Sequence, residues 1–343
     1  MIYSIERMIV IFTIEEDFST NNVVRILKYY NQKVIRININ DGVHKFLRIS
    51  ENQILFTNDL NKEVINLLDI KSCWWRRNGL NHHNFIDDIP EELRFEKFDL
   101  TTLIHGTNSL LKKESADLIE FIYNKIYANC KINLGKPAFN LNKLMVLDLA
   151  KKHGLKIPSY EIIRSSLDIQ EKLREGKHIT KAINNGIYTV IDNHRFYSYT
   201  ELIELEDSTA VTDKEIAHFP SLVMNLIEKR SEIRTFFMEG KFYSMIIFSQ
   251  SSDQTSVDFR KYNEEKPNRT EPYKLPISIE QKLINIFTEL GFNSGSVDLI
   301  IDDKDEFVFL EINPVGQYGM VSDPCNYNLD DLIAKYLIYG ETR

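Results

Sequence analysis

A chain of 343 residues with 43% hydrophobic and 27% charged side chains carries enough apolar material for two or three globular lobes, which excludes a disordered or fibrous protein. Its net charge of −8 at pH 7 argues against phosphate-backbone binding as the main task, so no nucleic-acid partner is expected. Three scattered cysteines give neither a disulfide framework nor a zinc spacing, and a reducing cytoplasm is the simpler expectation.

The run from Met8 to Ile14 is apolar but closes on Glu15, Glu16 and Asp17. It is too short for a signal peptide or a membrane span, so it reads as a buried strand and no membrane partner is expected. Thr20–Tyr30 has helical spacing, Val34–Ile39 alternates, and Ile70–Trp75 is a strand running into Trp74-Trp75-Arg76-Arg77. Strand, helix, strand predicts a small, mainly parallel α/β lobe, and the absence of a Gly-x-Gly-x-x-Gly turn disfavours a dinucleotide there. Residues 94–129 read as helical, interrupted only by Gly106.

Leu134-Gly135-Lys136-Pro137 is the best boundary signal. A helix from Asn140 to His153 follows, capped by Gly154, with Pro158 just beyond. Short strands are predicted at Tyr160–Ile163, His178–Ile183, Ile187–Ile191 and Arg195–Tyr199, the last two joined as a hairpin by Asp192-Asn193-His194. From Ser221 onward the pattern is antiparallel: Ile233–Met238 and Lys241–Ser249 flank Glu239-Gly240, and Ser296–Ile301 and Phe307–Ile312 flank Asp302 to Asp305. Helices are expected at Ile279–Leu290 and Leu329–Ile338. The predicted class is α/β (α+β), divided at 1–135, 136–220 and 221–343.

The strongest chemical signal is that second hairpin. Asp298 should lie opposite Glu311, and Asn313 leaves the same strand face two residues on. Carboxylates on otherwise apolar strands are costly unless a cation compensates them, and hard oxygen donors with room for phosphate oxygens suit magnesium. A solvent-facing acidic rim is the plain alternative. Lys181 sits in an apolar strand ahead of Asn184-Asn185-Gly186, where a Gly-bearing turn can approach phosphate, although snorkelling lysines are common on such strands. Lys143 lies in the first turn of its helix, where an anion or plain solvent exposure would explain a cation. The crossing from Ser221 to Arg234 reads equally as an adenine-facing hinge or a surface loop.

Taken together, these residues resemble the ATP-grasp superfamily. The stretches Glu232-Ile233-Arg234, Phe248-Ser249-Gln250, Val257-Asp258-Phe259-Arg260, Pro272–Pro276 and Phe309–Gly319 narrow that resemblance to its peptide-maturing members. Those are the graspetide macrocyclases of microviridin type. The phrases Ser244–Gln250, Pro267-Asn268-Arg269 and Asn313–Gln317 carry a closer match, to the maturases of grasp-with-spasm systems. The resemblance implies an ATP-grasp fold, with an N-terminal lobe and two C-terminal lobes around ATP. It implies that Asp298, Glu311 and Asn313 hold Mg2+ and that Lys143 and Lys181 hold the ATP phosphates. The backbone of Met224, Asn225, Leu226 and Ile227 would meet adenine, with Glu228 or Glu232 on the ribose. Arg234 and Arg260 would be the catalytic arginines, at the transferred phosphoryl group and the substrate carboxylate. Met224-Asn225 departs from the Gln or Glu common in that hinge, which leaves the adenine contact open.

The implied activity is phosphorylation of Asp or Glu side chains of a ribosomally made precursor peptide, then closure of ester or amide crosslinks. The implied partners are that precursor, with its leader and core segments, and a SPASM-domain protein, and a homodimer follows by analogy. The hairpin from Ile187 to Tyr199 and an acidic helix over Glu201–Asp207 are the candidate leader grip. Two other readings stand beside this one: a ligase adding free amino acids to a protein terminus, and a nucleotide-binding regulator without turnover. His82, His83 and His218 receive no role.

Overall fold

The computed structural model describes residues 8–39, 42–85, 100–184, 186, 188–191, 194–198, 200–204, 217–251 and 267–341. The chain forms two compact units, Met1–Phe139 with Asn328–Arg343, and Asn140–Tyr327. The closing helix therefore belongs to the first unit, not to the chain segment that precedes it.

In the first unit, β1 (Met8–Thr13), α1 (Phe18–Tyr29) and β2 (Val34–Asn38) make a strand–helix–strand unit. Three short strands, β3 (His44–Ser50), β4 (Gln53–Asn58) and β5 (Val64–Asn66), form a separate antiparallel sheet before β6 (Ile70–Trp75) returns to the first one. The long helix α2 (Leu100–Asn129) leads to β7 (Ile132–Leu134). The main sheet has the order β2-β1-β6-β7 with every pairing parallel, as the pattern predicted. All six residues of β1 are buried, which is why this central strand reads as a continuous apolar run. Phe12 stacks on Trp75 at 4.9 Å and meets Tyr123 edge-on at 5.1 Å, each pair adding about 0.5–1.5 kcal/mol beyond burial.

The second unit opens with α3 (Lys143–Lys152), β8 (Tyr160–Ser165), α4 (Ser166–Glu175) and β9 (His178–Lys181). The first of these helices begins at Lys143 because the Asn142 side chain accepts from the N–H groups of Leu144 and Met145. Strands β10 (Tyr188–Ile191) and β11 (His194–Tyr197) form the expected hairpin, whose turn residues 192–193 lie outside the described set. The acidic helix expected from Glu201 is not what forms there. Glu201–Ile203 is instead strand β12, with Leu202 opposite Ile179 on β9, because the sheet edge offers backbone partners to a segment whose Leu-Ile pair suits a strand. Residues 205–207 of that expectation lie outside the described set. With β13 (Ala217–Asn225), these strands make an antiparallel sheet in the order β12-β9-β13-β8.

A five-stranded sheet of this unit contains β14 (Lys229–Met238), β15 (Lys241–Phe248), β16 (Arg269–Tyr273), β17 (Ser294–Asp302) and β18 (Phe307–Asn313). It is antiparallel in the order β16-β15-β14-β17-β18. Helix α5 (Ile277–Leu290) lies between β16 and β17 in sequence, and its Phe287 stacks on Phe237 at 4.1 Å. Helix α6 (Gly319–Cys325) places Val321 and Cys325 on Met245 and Ile247. In the first unit, α7 (Leu329–Tyr339) packs on α1, with Asn22 Nδ2 donating to Asp330 Oδ2 at 3.2 Å. Among the described residues no helix is long and apolar enough to cross a membrane.

Candidate functional site

Strand alternation builds the floor of a cavity in the second unit. Glu232 and Arg234 on β14 stand opposite Ile300 and Asp298 on β17, so all four side chains leave one face of the five-stranded sheet. On β18, Glu311 pairs with Asp298 as the hairpin predicted, yet Phe309 pairs with the next residue, Leu299. Leu310 is the extra residue of a β-bulge, and the bulge turns both Leu310 and Glu311 into the cavity. The roof comes from the other sheet and its connections: Ile179 and Lys181 of β9, Met224 and Asn225 of β13, Leu226 and Ile227 beyond it, and Lys143 at the start of α3.

Charge is arranged around Glu311. The ammonium groups of Lys143 and Lys181 both lie 3.7 Å from Glu311 Oε2, and Lys143 also reaches the Ala182 carbonyl at 3.4 Å. Asp298 is held from the other side by Arg234, whose Nη1 donates to both carboxylate oxygens at 2.6 and 2.5 Å. The Arg234 guanidinium is almost fully buried, and among the described residues its Nε finds no acceptor. A buried donor without a partner is expensive, and an incoming anion would relieve it.

The hinge is committed in part to the sheet. Asn225 N donates to Ser159 O at 3.1 Å, Leu226 N to Lys177 O at 2.9 Å, and Asn225 Oδ1 accepts from Ser159 Oγ at 2.9 Å. Glu232 accepts from Lys229 Nζ and Ser249 Oγ, both at 2.7 Å. Burial pushes its carboxyl up, and those two donors pull it back only in part. Gly186, after the strand lysine, lies where an added Cβ would stand 2.8 Å from Ser198 Cβ, so a side chain there would block the loop's approach to β11.

Of the residues singled out from sequence, Lys143, Lys181, Met224, Asn225, Leu226, Ile227, Glu232, Asp298 and Glu311 line this one cavity. Arg234 reaches it through Asp298. Asn313 stands opposite Ser296, and its Oδ1 accepts from Val315 N at 3.1 Å, which leaves a second lone pair. Glu228 is exposed and does not line the cavity, and Arg260 lies outside the described residues. Sequence reasoning missed Lys229, which looked like part of a solvated charge run but is buried against Glu232 three residues on. It also missed Leu310, since a bulge depends on cross-strand register.

No protein-family model matches the sequence, and neither does any curated protein. Solved structures do match the backbone. The macrocyclase MdnC of Microcystis aeruginosa MRC, bound with precursor peptide MdnA, superposes with a TM-score of 0.72 at 20% identity, covering 97% of this chain and 100% of that one. The Chryseobacterium gregarium RiPP-associated ATP-grasp ligase, in complex with ADP and a leader and core peptide, gives 0.70 at 22% identity over 98% of each chain. The chain has the ATP-grasp fold. A third ATP-grasp structure, the ligase PsnB with minimal precursor, Mg and ADP, gives 0.67 at 13% identity over 96% of each chain. The cavity described above thus lies within an ATP-grasp architecture shared over nearly the full length of each chain.

Proposed function

We propose that the protein is an ATP-dependent ligase that activates Asp or Glu side chains of a ribosomally made precursor peptide and closes them into intramolecular esters or amides. The observation that carries this reading is the convergence of Lys143, Lys181 and the Asp298–Glu311 pair on one cavity, with Arg234 bonded to Asp298 behind it, in a fold shared with macrocyclases. Lys143 and Lys181 would hold the triphosphate. The segment from Met224 to Ile227 would meet adenine, and Glu232 the ribose. Among the described residues no three His, Cys, Asp or Glu side chains converge as a metal site. Asp298, Glu311 and the free lone pair on Asn313 nevertheless fit Mg2+, which commonly takes one or two carboxylates and completes its shell with phosphate oxygens and water. The ion, when bound, would neutralise charge on the phosphoryl oxygens.

The peptide carboxylate attacks the γ-phosphorus as the bond to ADP breaks, giving an acyl phosphate. Arg234 would stabilise charge there through its Nε, which has no acceptor among the described residues. A hydroxyl or amine of the same peptide then attacks the acyl carbon, loses its proton, and phosphate leaves with one carboxylate oxygen. The enzyme contributes no nucleophile to this sequence.

In sequence the chain would divide into an N-terminal lobe at 1–135, a central lobe at 136–220 and a C-terminal lobe at 221–343, the closing helix α7 of the last segment belonging to the first compact unit. The hairpin β10–β11 would take the leader, and Arg260 the substrate carboxylate. A SPASM-domain partner, a homodimer and a cytoplasmic location belong to the same proposal. Mass spectrometry of a candidate precursor after incubation with enzyme, ATP and magnesium tests it. ATP-dependent loss of whole water masses is expected, whereas a mass gain equal to added amino acids would replace this reading with terminal ligation.

A further inference from the structure

The motif Trp74-Trp75-Arg76-Arg77 is left unused by the cavity of the second unit. In the first unit, the chain leaves β1 toward β2 on one side, whereas β6, on the other side of β1, continues through α2 to β7. All these pairings are parallel, so the carboxyl ends of β1 and β6 face a topological switch point, where open α/β sheets bind their ligands. Thr13 is the last residue of β1 and Asp17 caps α1 there, and Arg76 and Arg77 directly follow β6.

Asp17 is the shared acceptor of this cluster. Asp17 Oδ2 accepts from Arg76 Nε at 2.8 Å, from Arg77 Nε at 3.3 Å and from Thr13 Oγ1 at 3.4 Å, while its Oδ1 accepts from Thr20 N at 3.3 Å. One carboxylate thus serves two guanidiniums. Arg76 is buried and carries the shorter of the two bonds to Asp17. The Arg77 side chain is 30% exposed, and among the described residues its two Nη groups have no acceptor. Glu15 and Glu16, exposed in the same loop, pair with neither arginine. The backbone under Arg77 is fixed: the N–H groups of Arg76 and Arg77 both donate to Phe12 O, and Gly79 lets the turn press on Phe12, where an added Cβ would stand 2.6 Å from the ring.

We propose that this switch point is a carboxylate-binding site in which the Arg77 guanidinium takes the ligand and the Asp17–Arg76 pair holds it in place. A planar fork with both Nη groups open matches the two oxygens of a carboxylate bidentately. That the ligand is an acidic side chain of the peptide substrate rests on the ligase reading. The site itself does not need ATP.

Both tryptophans of the chain, Trp74 and Trp75, adjoin the site, and the Arg76 guanidinium lies 5.7 Å from the Trp74 ring. Tryptophan emission of the full-length protein, without nucleotide, is therefore the readout. The probes are a blocked Glu-Thr dipeptide, its Gln-Thr counterpart and inorganic phosphate. A saturable change with the Glu peptide is expected, at least fivefold tighter than with either other probe. Arg77→Gln should weaken it at least tenfold with an unchanged melting temperature, because Asp17 keeps Arg76, and Arg77→Lys should fall between. No saturable change, equal binding of the Gln peptide, tighter binding of phosphate, or wild-type affinity in Arg77→Gln would each overturn the site. Water loss from a precursor with no carboxylate binding here would sink this site alone, and binding here without any turnover would sink the ligase reading alone.

Discussion

Replacing Glu311 by Gln removes the carboxylate that Lys143 and Lys181 approach at 3.7 Å each. At an effective dielectric of 20, one such pair carries about 4.5 kcal/mol of Coulomb attraction. Water reaches all three groups, the Glu311 side chain being 24% exposed, and screening of this kind brings each pair down to about 1 kcal/mol. The two lysines released by the change would therefore favour a bare triphosphate by about 1–2 kcal/mol, or about 5- to 30-fold in affinity. With magnesium the sign reverses, since the ion loses one of its two carboxylates, and ADP formation should fall at least about tenfold. Isothermal titration with ATP, once in chelator and once in excess magnesium, separates these effects. Unchanged or weaker metal-free binding would refute the electrostatic account of the lysines. Wild-type stimulation by magnesium in Glu311→Gln would refute the metal assignment.

Asp17→Asn leaves two guanidiniums without their shared counter-ion and should destabilise the protein by about 3–5 kcal/mol, measured by urea unfolding. Burial alone would raise the Asp17 carboxyl, but Arg76 and Arg77 outweigh it and hold it below its usual value. Its stabilisation is therefore present above the unfolded-state value of about 3.9 and is lost as pH falls below it, an acid limb that Asp17→Asn should flatten. Gly79→Ala should cost at least about 1–3 kcal/mol, because the residue has φ of 73° and its Cβ would meet Phe12 atoms, including Cα at 2.9 Å. A melting temperature within one degree of wild type would contradict that packing.

What the sequence disclosed follows periodicity and punctuation. The last hairpin was legible because two apolar strands flank a four-residue charged turn, and a period of two then places Asp298 against Glu311. The parallel first sheet was legible from its strand–helix–strand order, and Gly154 and Gly291 marked helix ends because both adopt positive φ there. The bulge at Leu310 was not legible, since local sequence does not encode which residue a partner strand skips. Nor was the Arg234–Asp298 bond, which joins residues 64 apart through the β14–β17 register. The segment at Glu201 failed for the same reason. Its charges suggest a solvated helix, but an open edge of β9 captured it as a strand. The closing helix α7 was found as a helix, but its place beside α1 depends on contacts across some 300 residues of chain.

Acyl-phosphate formation is the central claim, and heavy-oxygen transfer tests it most directly. A precursor peptide labelled with heavy oxygen in its Asp and Glu carboxylates would be incubated with enzyme, ATP and magnesium, and the released phosphate analysed by mass spectrometry. The account predicts one labelled oxygen in phosphate for every crosslink closed. Crosslinked peptide formed alongside unlabelled phosphate would contradict it.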